Sequence, residues 1–401
     1  MVVTGVGVVS AAGQSLADLE AALRQGRCCA SPHATAFPLR EVASIPTPIA
    51  PVDGFVDDRK AWLAMSALDQ ALADSSGTGE GVVSVFLGTG LSSVTPGELN
   101  QEAYPHLNGD GTAFDRDSLC ADLRADRASP WRHDPVRVTS AVIRRVGATG
   151  PCGTSFSACS AAAQAISEGL RTIRRGEAEV AIVGGHDSML HPFGLLSFIV
   201  LGALSPTSCR PFDLGRDGFL IGEGAAILVL ESAESARRRG VRVRARLLGA
   251  GTSVDGYAAT APHPEGAGAE RAMRAALRDA KIDATDVEYV NAHATGTPVG
   301  DIAEAAAISR VIPGVPISSI KGAVGHTIAA AGAIEAAACI AALEGGWMPG
   351  TVGLRERDPA CPVDVIAETL HERPRVVLSN SFGFGGQNAA LVFAHSEETD
   401  V

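Results

Sequence analysis

The chain alternates strand-like and helix-like segments, and this alternation restricts the fold more than any other feature. Short runs of β-branched and apolar residues, typical of strands buried on both faces, occur at 2–9, 82–87, 179–185 and 225–231. Segments whose apolar positions recur with helical spacing lie at 61–74 and 157–176. The alternation favours an α/β protein whose sheets are covered by helices on both faces. Polar residues 98–138 are expected to form a long irregular excursion that caps a site or an interface.

The same pattern begins again after residues 231–240, which we expect to form a helix that leaves the first half. The second half contains a strand, a helix and two further strands, at 241–251, 267–280, 287–294 and 375–386. The segments 179–185 and 375–386 both run from β-branched residues into a double glycine, which is a weak internal repeat. We therefore divide the 401 residues into two packed halves, 1–231 and 232–401.

Charge and cysteine usage exclude several classes of protein. A net charge of −12 argues against a general nucleic-acid binder, which needs a basic face. The eight cysteines show neither a C-x-x-C motif nor the Cys/His spacing of a zinc site. The chain opens on a strand rather than a targeting leader, and no uninterrupted apolar run approaches about 18 residues. We therefore expect a cytoplasmic protein with free thiols, no metal and no membrane span.

Cys159 lies where a loop leads into a helix of small apolar residues, in the segment GTSFSACSAAAQAI. At a helix N-terminus the dipole and free N–H groups favour a thiolate, so Cys159 is a candidate nucleophile. The alternative is a small buried hydrophobic residue, which describes most intracellular cysteines.

Two histidines follow in glycine-rich or hydroxyl-rich segments. His293 lies at the end of a predicted strand in NAHATGTPVGD, and His326 follows Lys321 in SSIKGAVGHTIAAAGAIEAA. A histidine at a strand end is more often structural than catalytic. Lysine is scarce, since only three of the 33 basic residues are lysines, so Lys321 is a candidate for a role that needs a compact ammonium.

The segment SNSFGFGGQNAALVF at 379–393 alternates phenylalanine with glycine. Such a turn can offer a backbone N–H to an oxyanion, and its simpler alternative is a tight hairpin. Neither a P-loop nor a dinucleotide-binding fingerprint is present in the sequence.

Taken together and in this order, these segments resemble the elongating β-ketoacyl-acyl carrier protein synthases of the thiolase superfamily. The resemblance runs from VVTGVGVVS to FGFGGQNAALVF and includes the specific segment SCRPFDLGRDGFLIGEGAAILVLE at 208–231. It implies a thiolase-like, five-layered αβαβα fold with two pseudo-repeated halves. The N-terminal half would carry the nucleophile and the C-terminal half the two histidines.

The resemblance also implies roles for the catalytic residues. Cys159 would be the nucleophile, His293 and His326 the pair that drives decarboxylation, and Lys321 a nearby cation. The backbone N–H groups of Cys159 and Phe384 would form the oxyanion hole.

Further roles follow from the same matching. Glu304 and Glu335 resemble the acidic neighbours of the lysine. Thr295 and Thr297 would contact the pantetheine arm, and Phe384 would gate the acyl pocket.

The implied reaction is a decarboxylative Claisen condensation of an acyl thioester with malonyl-acyl carrier protein, through an acyl group bound to cysteine. Thioester exchange needs a good nucleophile, and two neutral imidazoles can stabilise the enolate by donating N–H bonds. No metal or organic cofactor is implied. Fatty-acid, polyketide and polyene biosynthesis are all compatible with this acyltransferase chemistry.

Several positions depart from the family pattern. Ala294 and Gly296 replace the more usual glycine and small hydroxyl residue, Gln387 replaces threonine, and His186 with Asp187 replaces a small residue and glutamate. These departures favour the alternative of a type II polyketide or aryl-polyene ketosynthase subunit that works with a chain-length-factor partner.

Two other classes of protein fit the sequence less well. An inert partner subunit typically lacks the nucleophile, whereas Cys159 is present, and a thiolase uses a second cysteine rather than two histidines. Members of the family are dimers, so we expect a homodimer or a heterodimer with a chain-length-factor-like subunit. The carrier protein is acidic, which predicts a basic entrance, with Arg59 and Lys60 as candidates for docking.

Overall fold

The computed structural model describes residues 1–32, 41–44, 49, 58–90, 100–101, 104–125 and 134–397. The strands are β1 (Val2–Val9), β2 (Ser31–Pro32), β3 (Glu41–Val42), β4 (Val83–Thr89), β5 (Cys152–Ser155), β6 (Val180–Ser188), β7 (Glu223–Glu231), β8 (Ala245–Val254), β9 (Tyr289–Asn291), β10 (Pro316–Ser318), β11 (Asp364–Val365), β12 (Val376–Gly383) and β13 (Gln387–His395). The helices are α1 (Leu16–Arg24), α2 (Arg59–Asp74), α3 (Arg116–Arg124), α4 (Val136–Val146), α5 (Ala161–Arg174), α6 (Pro192–Val200), α7 (Ala233–Arg239), α8 (Ala267–Ala280), α9 (Pro298–Val311), α10 (Lys321–Val324) and α11 (Ala331–Gly345). Short 3₁₀ turns lie at Tyr104–His106, Ala158–Ser160, Ala284–Asp286, Ile328–Ala330 and Phe384–Gly386.

The two halves of the chain build their sheets in the same order. The first half has the order β5-β4-β6-β7-β1, and the second has β10-β9-β12-β13-β8 with β11 outside β10. In each half the first three strands are parallel and the next two pairings are antiparallel. The halves join where β1 pairs with β8 at Val2–Arg246 and Val3–Ala245. The predicted pseudo-repeat is therefore confirmed, while the division at residue 231 stays a prediction.

Helices cover both sheets and also separate them. On α5 and α11, Ile166 and Ile334 pack in one core with Val183 of the first sheet and Leu391 of the second. The outer face of the first sheet is covered by α2 and α4, and that of the second by α8 and α9. The layers are therefore helix, sheet, helix, sheet and helix, which confirms the predicted five-layered αβαβα fold.

Small residues allow the central helix α5 to lie directly on the first sheet. A Cβ on Gly88 would lie 2.3 Å from the backbone nitrogen of Ala162, and one on Gly185 would lie 2.7 Å from the Cβ of Ala162. Neither strand could carry a larger residue there without moving the helix. This close approach gives a physical reason for a chain rich in glycine, with only 4% aromatic residues.

Among the residues that the structure describes, one segment is apolar and long enough to cross a membrane. It is Ile328–Gly345, which has a mean hydropathy of 1.6, and 89% of it is buried inside the protein. It contains α11 of the central layer, so its hydrophobicity is that of a core helix between two sheets.

Several elements differ from the prediction. Within 98–138 the described residues contain α3 and the start of α4, so the excursion is not wholly irregular; 98–99, 102–103 and 126–133 lie outside the described residues. The strand expected at 287–294 is shorter, because the N–H groups of His293 and Ala294 bond a side chain rather than a neighbouring strand. The strand expected over 375–386 ends at Gly383, and a turn follows.

Candidate active site

Cys159 is the middle residue of a strained turn that leads into α5. Ala158 has a φ of 49°, a left-handed conformation that is uncommon for a residue other than glycine. Both the backbone N–H and the hydroxyl of Ser160 donate to the carbonyl of Ser157, which holds the turn. Such strain costs on the order of 1–3 kcal/mol and persists only where the surrounding structure enforces it.

The turn places the thiol beside both predicted histidines. The distance from Cys159 Sγ to His326 Nε2 is 3.1 Å, and all three residues are buried. Each of the three offers a donor atom, and these atoms lie within 4.8 Å of one another. The rings of His293 and His326 meet edge to face at 5.3 Å between centroids. The fold thus brings Cys159 together with two histidines that lie 134 and 167 positions after it in the chain.

Burial raises the pKa of the Cys159 thiol to about 12, despite opposing contributions from the Lys321 ammonium and the backbone N–H of Phe384. The expectation of a resting thiolate is therefore wrong. The dipole of α5 does not compensate for removing the thiol from water. At neutral pH the thiol keeps its proton, and His326 Nε2 is within hydrogen-bond distance of the sulfur.

His293 is oriented through its second ring nitrogen. Lys321 Nζ lies 3.3 Å from His293 Nδ1 and also donates to the carboxylate of Glu335. Because an ammonium can only donate, Nδ1 is the acceptor and the ring proton is on Nε2, which faces the cluster. Burial first, and the positive charge of Lys321 second, hold the pKa of His293 well below its usual value, so the ring is neutral.

His326 is also neutral, since burial and Lys321 lower its pKa well below 6.5. The edge of the Phe219 ring packs against it, with 4.9 Å between the ring centroids. In the part of the chain that the structure describes, His326 Nδ1 has no hydrogen-bond partner. No partner at Nδ1 therefore fixes the tautomer of this ring, unlike that of His293.

Glu304 supports the loop that follows β9 rather than the lysine. Its carboxylate accepts the backbone N–H groups of His293 at 2.8 Å and of Ala294 at 2.7 Å, and the side-chain amide of Asn380 at 3.1 Å. Burial raises its pKa to about 7, although these donors oppose that shift. Of the two predicted acidic neighbours of Lys321, Glu335 contacts the ammonium, whereas Glu304 binds the backbone N–H groups of His293 and Ala294 instead.

The turn after β12 brings the backbone N–H of Phe384 towards the thiol, where it opposes the rise in the pKa of Cys159. Gly385 and Gly386 have φ values of 77° and 71°, which explains the double glycine. The ring of Phe384 lies against that of Phe198, with 6.4 Å between centroids. The FGFGG segment is therefore both a hairpin and a source of an N–H donor, so the two interpretations of its sequence are compatible.

A cavity of 340 Å³ leads to the cluster. Cys159, both histidines and Phe384 line it, together with Thr295 and Thr297, whose hydroxyls are 3.1 Å apart. The described lining residues include Asp217 and Asp255 but no lysine or arginine. The predicted basic entrance is therefore not found among them.

The two docking candidates at the start of α2 are turned inward. The side chain of Lys60 is only 6% exposed, and its Nζ lies 2.8 Å from Asp187. Arg59 forms an ion pair with the buried Glu223 at 2.5 Å. The expectation that Lys60 docks an acidic partner is wrong, because its ammonium neutralises a buried carboxylate.

Sequence reasoning did not assign roles to the aromatic side chains around the histidines. Phe219 packs on His326, and Phe382 lies 5.9 Å from His293 between ring centroids. Both residues fall in segments that the family resemblance singled out, and this was the available signal. Cysteine and histidine are also ligands of zinc sites, yet the ammonium of Lys321 beside His293 opposes a cation there.

Comparisons with known proteins agree with this geometry. Residues 55–236 match the family described as Beta-ketoacyl synthase, N-terminal domain, and residues 244–355 match the Beta-ketoacyl synthase, C-terminal domain. The 3-oxoacyl-[acyl-carrier-protein] synthase 2 of Staphylococcus aureus (strain COL) is 40% identical over 273 residues, which span 66% of this chain and 66% of that protein. Nodulation protein E of Rhizobium meliloti (strain 1021) is 35% identical over 411 residues, 98% of both chains.

Solved structures share the whole fold. The ishigamide ketosynthase/chain length factor has a TM-score of 0.83 at 32% identity and covers 98% of each chain. A type II polyketide synthase acyl-carrier protein in complex with its ketosynthase has a TM-score of 0.87 at 26% identity and covers 99% of each chain. From the two family matches and the full-length similarity, we conclude that this chain belongs to the beta-ketoacyl synthase family.

Proposed function

We propose that the chain is an acyltransferase that condenses an acyl group held on Cys159 with a malonyl unit carried by an acyl carrier protein, releasing carbon dioxide. The observation that carries this proposal is the approach of Cys159 Sγ to His326 Nε2 at 3.1 Å, with His293 in the same buried cluster. A nucleophile and two neutral imidazoles at the inner end of one cavity fit this reaction.

In the first half-reaction the thiol of Cys159 attacks the acyl thioester. Because its pKa is raised to about 12, the thiol needs a base, and His326 Nε2 is placed to take the proton. The carbonyl oxygen becomes an oxyanion that accepts the N–H groups of Cys159 and Phe384. The carrier thiol leaves with the proton from His326, so the protein returns to its neutral state.

In the second half-reaction a malonyl thioester enters and its carboxylate leaves as carbon dioxide. The electron pair of the broken carbon–carbon bond moves into an enolate, whose oxygen accepts N–H bonds from the two imidazoles. His293 presents Nε2–H because Lys321 is bonded at Nδ1, and His326 donates in its Nε2–H tautomer. The enolate carbon attacks the acyl group, and the released Cys159 thiolate takes a proton from water.

Thr295 and Thr297 are assigned to the arm of the carrier protein. Both residues line the same cavity as the buried cluster and are themselves partly exposed, so the amide groups of a pantetheine chain could pass them. Phe384 is assigned as the gate to the acyl pocket, since its ring meets Phe198 beside Cys159.

The partners proposed are an acyl carrier protein and a second ketosynthase-like subunit, either an identical chain or a chain-length factor. Support comes from the similarity to a ketosynthase/chain length factor over 98% of the chain and to a ketosynthase bound to its carrier protein. The pathway proposed is fatty-acid, polyketide or polyene synthesis. The cysteines are free thiols, which supports a cytoplasmic location.

The test is intact-protein mass spectrometry after incubation with acyl-carrier proteins of different chain lengths. Wild-type protein should gain the mass of one acyl group, and Cys159→Ala should gain none. An absent adduct on wild type, or an adduct that persists in Cys159→Ala, would refute the assignment.

A second measurement follows carbon dioxide release from malonyl-carrier protein. His326→Ala should release far less carbon dioxide while still forming the acyl adduct slowly. Release at the wild-type rate would show that His326 has another role.

A further inference from the structure

The fold contains a second turn with the geometry of the nucleophile turn. Ile328–Ala330 precedes the central helix α11 just as Ala158–Ser160 precedes α5. The first residue of each turn, Ala158 or Ile328, has a φ of 49°. Ala329 therefore occupies in the second half the position that Cys159 occupies in the first.

The backbone N–H of Ala329 is bound by a carboxylate of the protein. Ala329 N donates to Asp187 Oδ2 at 3.1 Å, and Asp187 lies near the end of β6 in the opposite half. The turn at Cys159 likewise packs on a strand of the opposite half, β12. An aspartate oxygen thus lies at the Ala329 N–H, the counterpart of the Cys159 N–H assigned to the oxyanion.

The carboxylate is held by charge from the outer layer. Asp187 is fully buried, and Lys60 of α2 places its Nζ 2.8 Å from Oδ1. The backbone N–H of Ser188 also donates to Oδ1, at 2.9 Å. A buried carboxylate with this set of donors is fixed in place, because moving it would leave charges and N–H groups unpaired.

The bound turn begins two residues after His326. The backbone N–H of His326 donates to the carbonyl of Leu220 at 2.8 Å, and the carbonyl of His326 accepts the N–H of Gly222 at 2.9 Å. In the described chain its Nδ1 has no partner, whereas the Nδ1 of His293 is held by Lys321. The direction of the His326 ring is therefore set by its backbone and by packing against Phe219, rather than by a hydrogen bond at Nδ1.

We propose that Asp187, neutralised by Lys60, is a positioning residue that anchors the Ile328–Ala330 turn and thereby holds His326 Nε2 against Cys159 Sγ. The inference rests on the proposed function of His326. The N–H of Ala329 in the second turn thus binds the carboxylate of Asp187, whereas the N–H of Cys159 in the first turn would bind the oxyanion of the substrate.

The test replaces the pair by apolar residues of similar shape, Asp187→Leu with Lys60→Met, because such replacements of buried ion pairs are generally tolerated by the fold. Carbon dioxide release should fall about tenfold or more, since a small displacement of a catalytic group has effects of this size. Asp187→Asn with Lys60→Met keeps an oxygen acceptor for the Ala329 N–H and should restore release to within about threefold of wild type. Should the leucine variant fail to fold, Asp187→Ala with Lys60→Met replaces it.

The matched control is the ion pair of the buried Glu231 with the partly exposed Arg239, whose atoms are 2.7 Å apart at the opposite end of the first sheet. Glu231→Leu with Arg239→Met should leave the release rate of the folded protein unchanged. A double-mutant cycle gives the decisive result: in a His326→Ala background, replacing the Asp187–Lys60 pair should change the residual rate by less than about twofold.

Wild-type release from the apolar variant, or an undiminished effect in the His326→Ala background, would overturn the positioning role. Failure of wild-type protein to form the acyl adduct would instead refute the proposed function itself.

Discussion

Lys321 offers the most informative single perturbation of the site. Its ammonium is 1% exposed and contacts both the carboxylate of Glu335 and the Nδ1 of His293. Lys321→Met removes both contacts at once, so its effects on folding and on catalysis must be separated. The double variant Lys321→Met with Glu335→Leu removes the second buried charge as well.

The two effects differ in size and in their response to the second substitution. Removing one partner of a buried ion pair costs about 3–5 kcal/mol of unfolding free energy, whereas replacing both by apolar residues is close to neutral. A hydrogen bond from a charged donor contributes about 1.5–3 kcal/mol, so losing it at His293 should slow carbon dioxide release about ten- to hundredfold. That loss should be the same in the single and the double variant, because both lack the ammonium.

The assay combines chemical denaturation with carbon dioxide release from malonyl-carrier protein, corrected for the folded fraction. The single variant should unfold at lower denaturant than the double variant, and both should release carbon dioxide slowly. If the double variant releases carbon dioxide as fast as wild type, Lys321 serves only to neutralise Glu335, and the orientation of His293 by its ammonium is refuted.

Three further outcomes follow from the structure. Because burial holds the pKa values of His293 and His326 well below 6.5, carbon dioxide release should not change through about pH 6.5, and a titration there in the rate profile would contradict neutral imidazoles. The pKa of Glu304 is raised from 4.5 to about 7, so its protonation contributes stability that is present below pH 4.5 and is lost as pH rises through about 7. Glu304→Gln should remove this part of the pH dependence of the unfolding free energy, measured by denaturation from pH 5 to 8. An unchanged pH dependence in the variant would contradict the raised pKa of Glu304. Gly88→Ala should destabilise the fold by about 1–3 kcal/mol and slow acylation of Cys159, because its Cβ would push on α5. The control Gly109→Ala, with open space around it, should do neither. If Gly88→Ala were as stable as wild type, the close packing of α5 on β4 would be contradicted.

The fold was predictable because its elements carry their own signals. Strands buried on both faces are continuous apolar runs, and the central helices are rich in alanine, so periodicity located β1, β6, β7, α2, α5 and α8 closely. The strand expected at 287–294 was overestimated because Glu304 withdraws two N–H groups from the sheet, and that contact joins residues ten or more positions apart. The sequence also could not show that the two halves have the same strand order, since only a short glycine motif repeats between them.

The site was predictable in its residues and not in its electrostatics. Cys159, His293, His326 and Lys321 occur in distinctive segments, and the fold brings them together. The protonation state of Cys159 depends on how much protein surrounds it, which helix position does not reveal. Lys60 resembled a surface cation because its carboxylate partner, Asp187, lies far along the chain at the end of another strand.

Each of the two turns packs on a strand of the opposite half, and this arrangement determines how activity is lost when the protein unfolds. Each turn is completed by a strand that folds from the other half, so the thiol and the imidazoles reach their working positions only when both halves are folded together. A fragment that ends at residue 231 would contain the cysteine without either histidine. Denaturant titrations followed by carbon dioxide release and by circular dichroism should therefore share one midpoint, which makes turnover a direct reporter of the folded population.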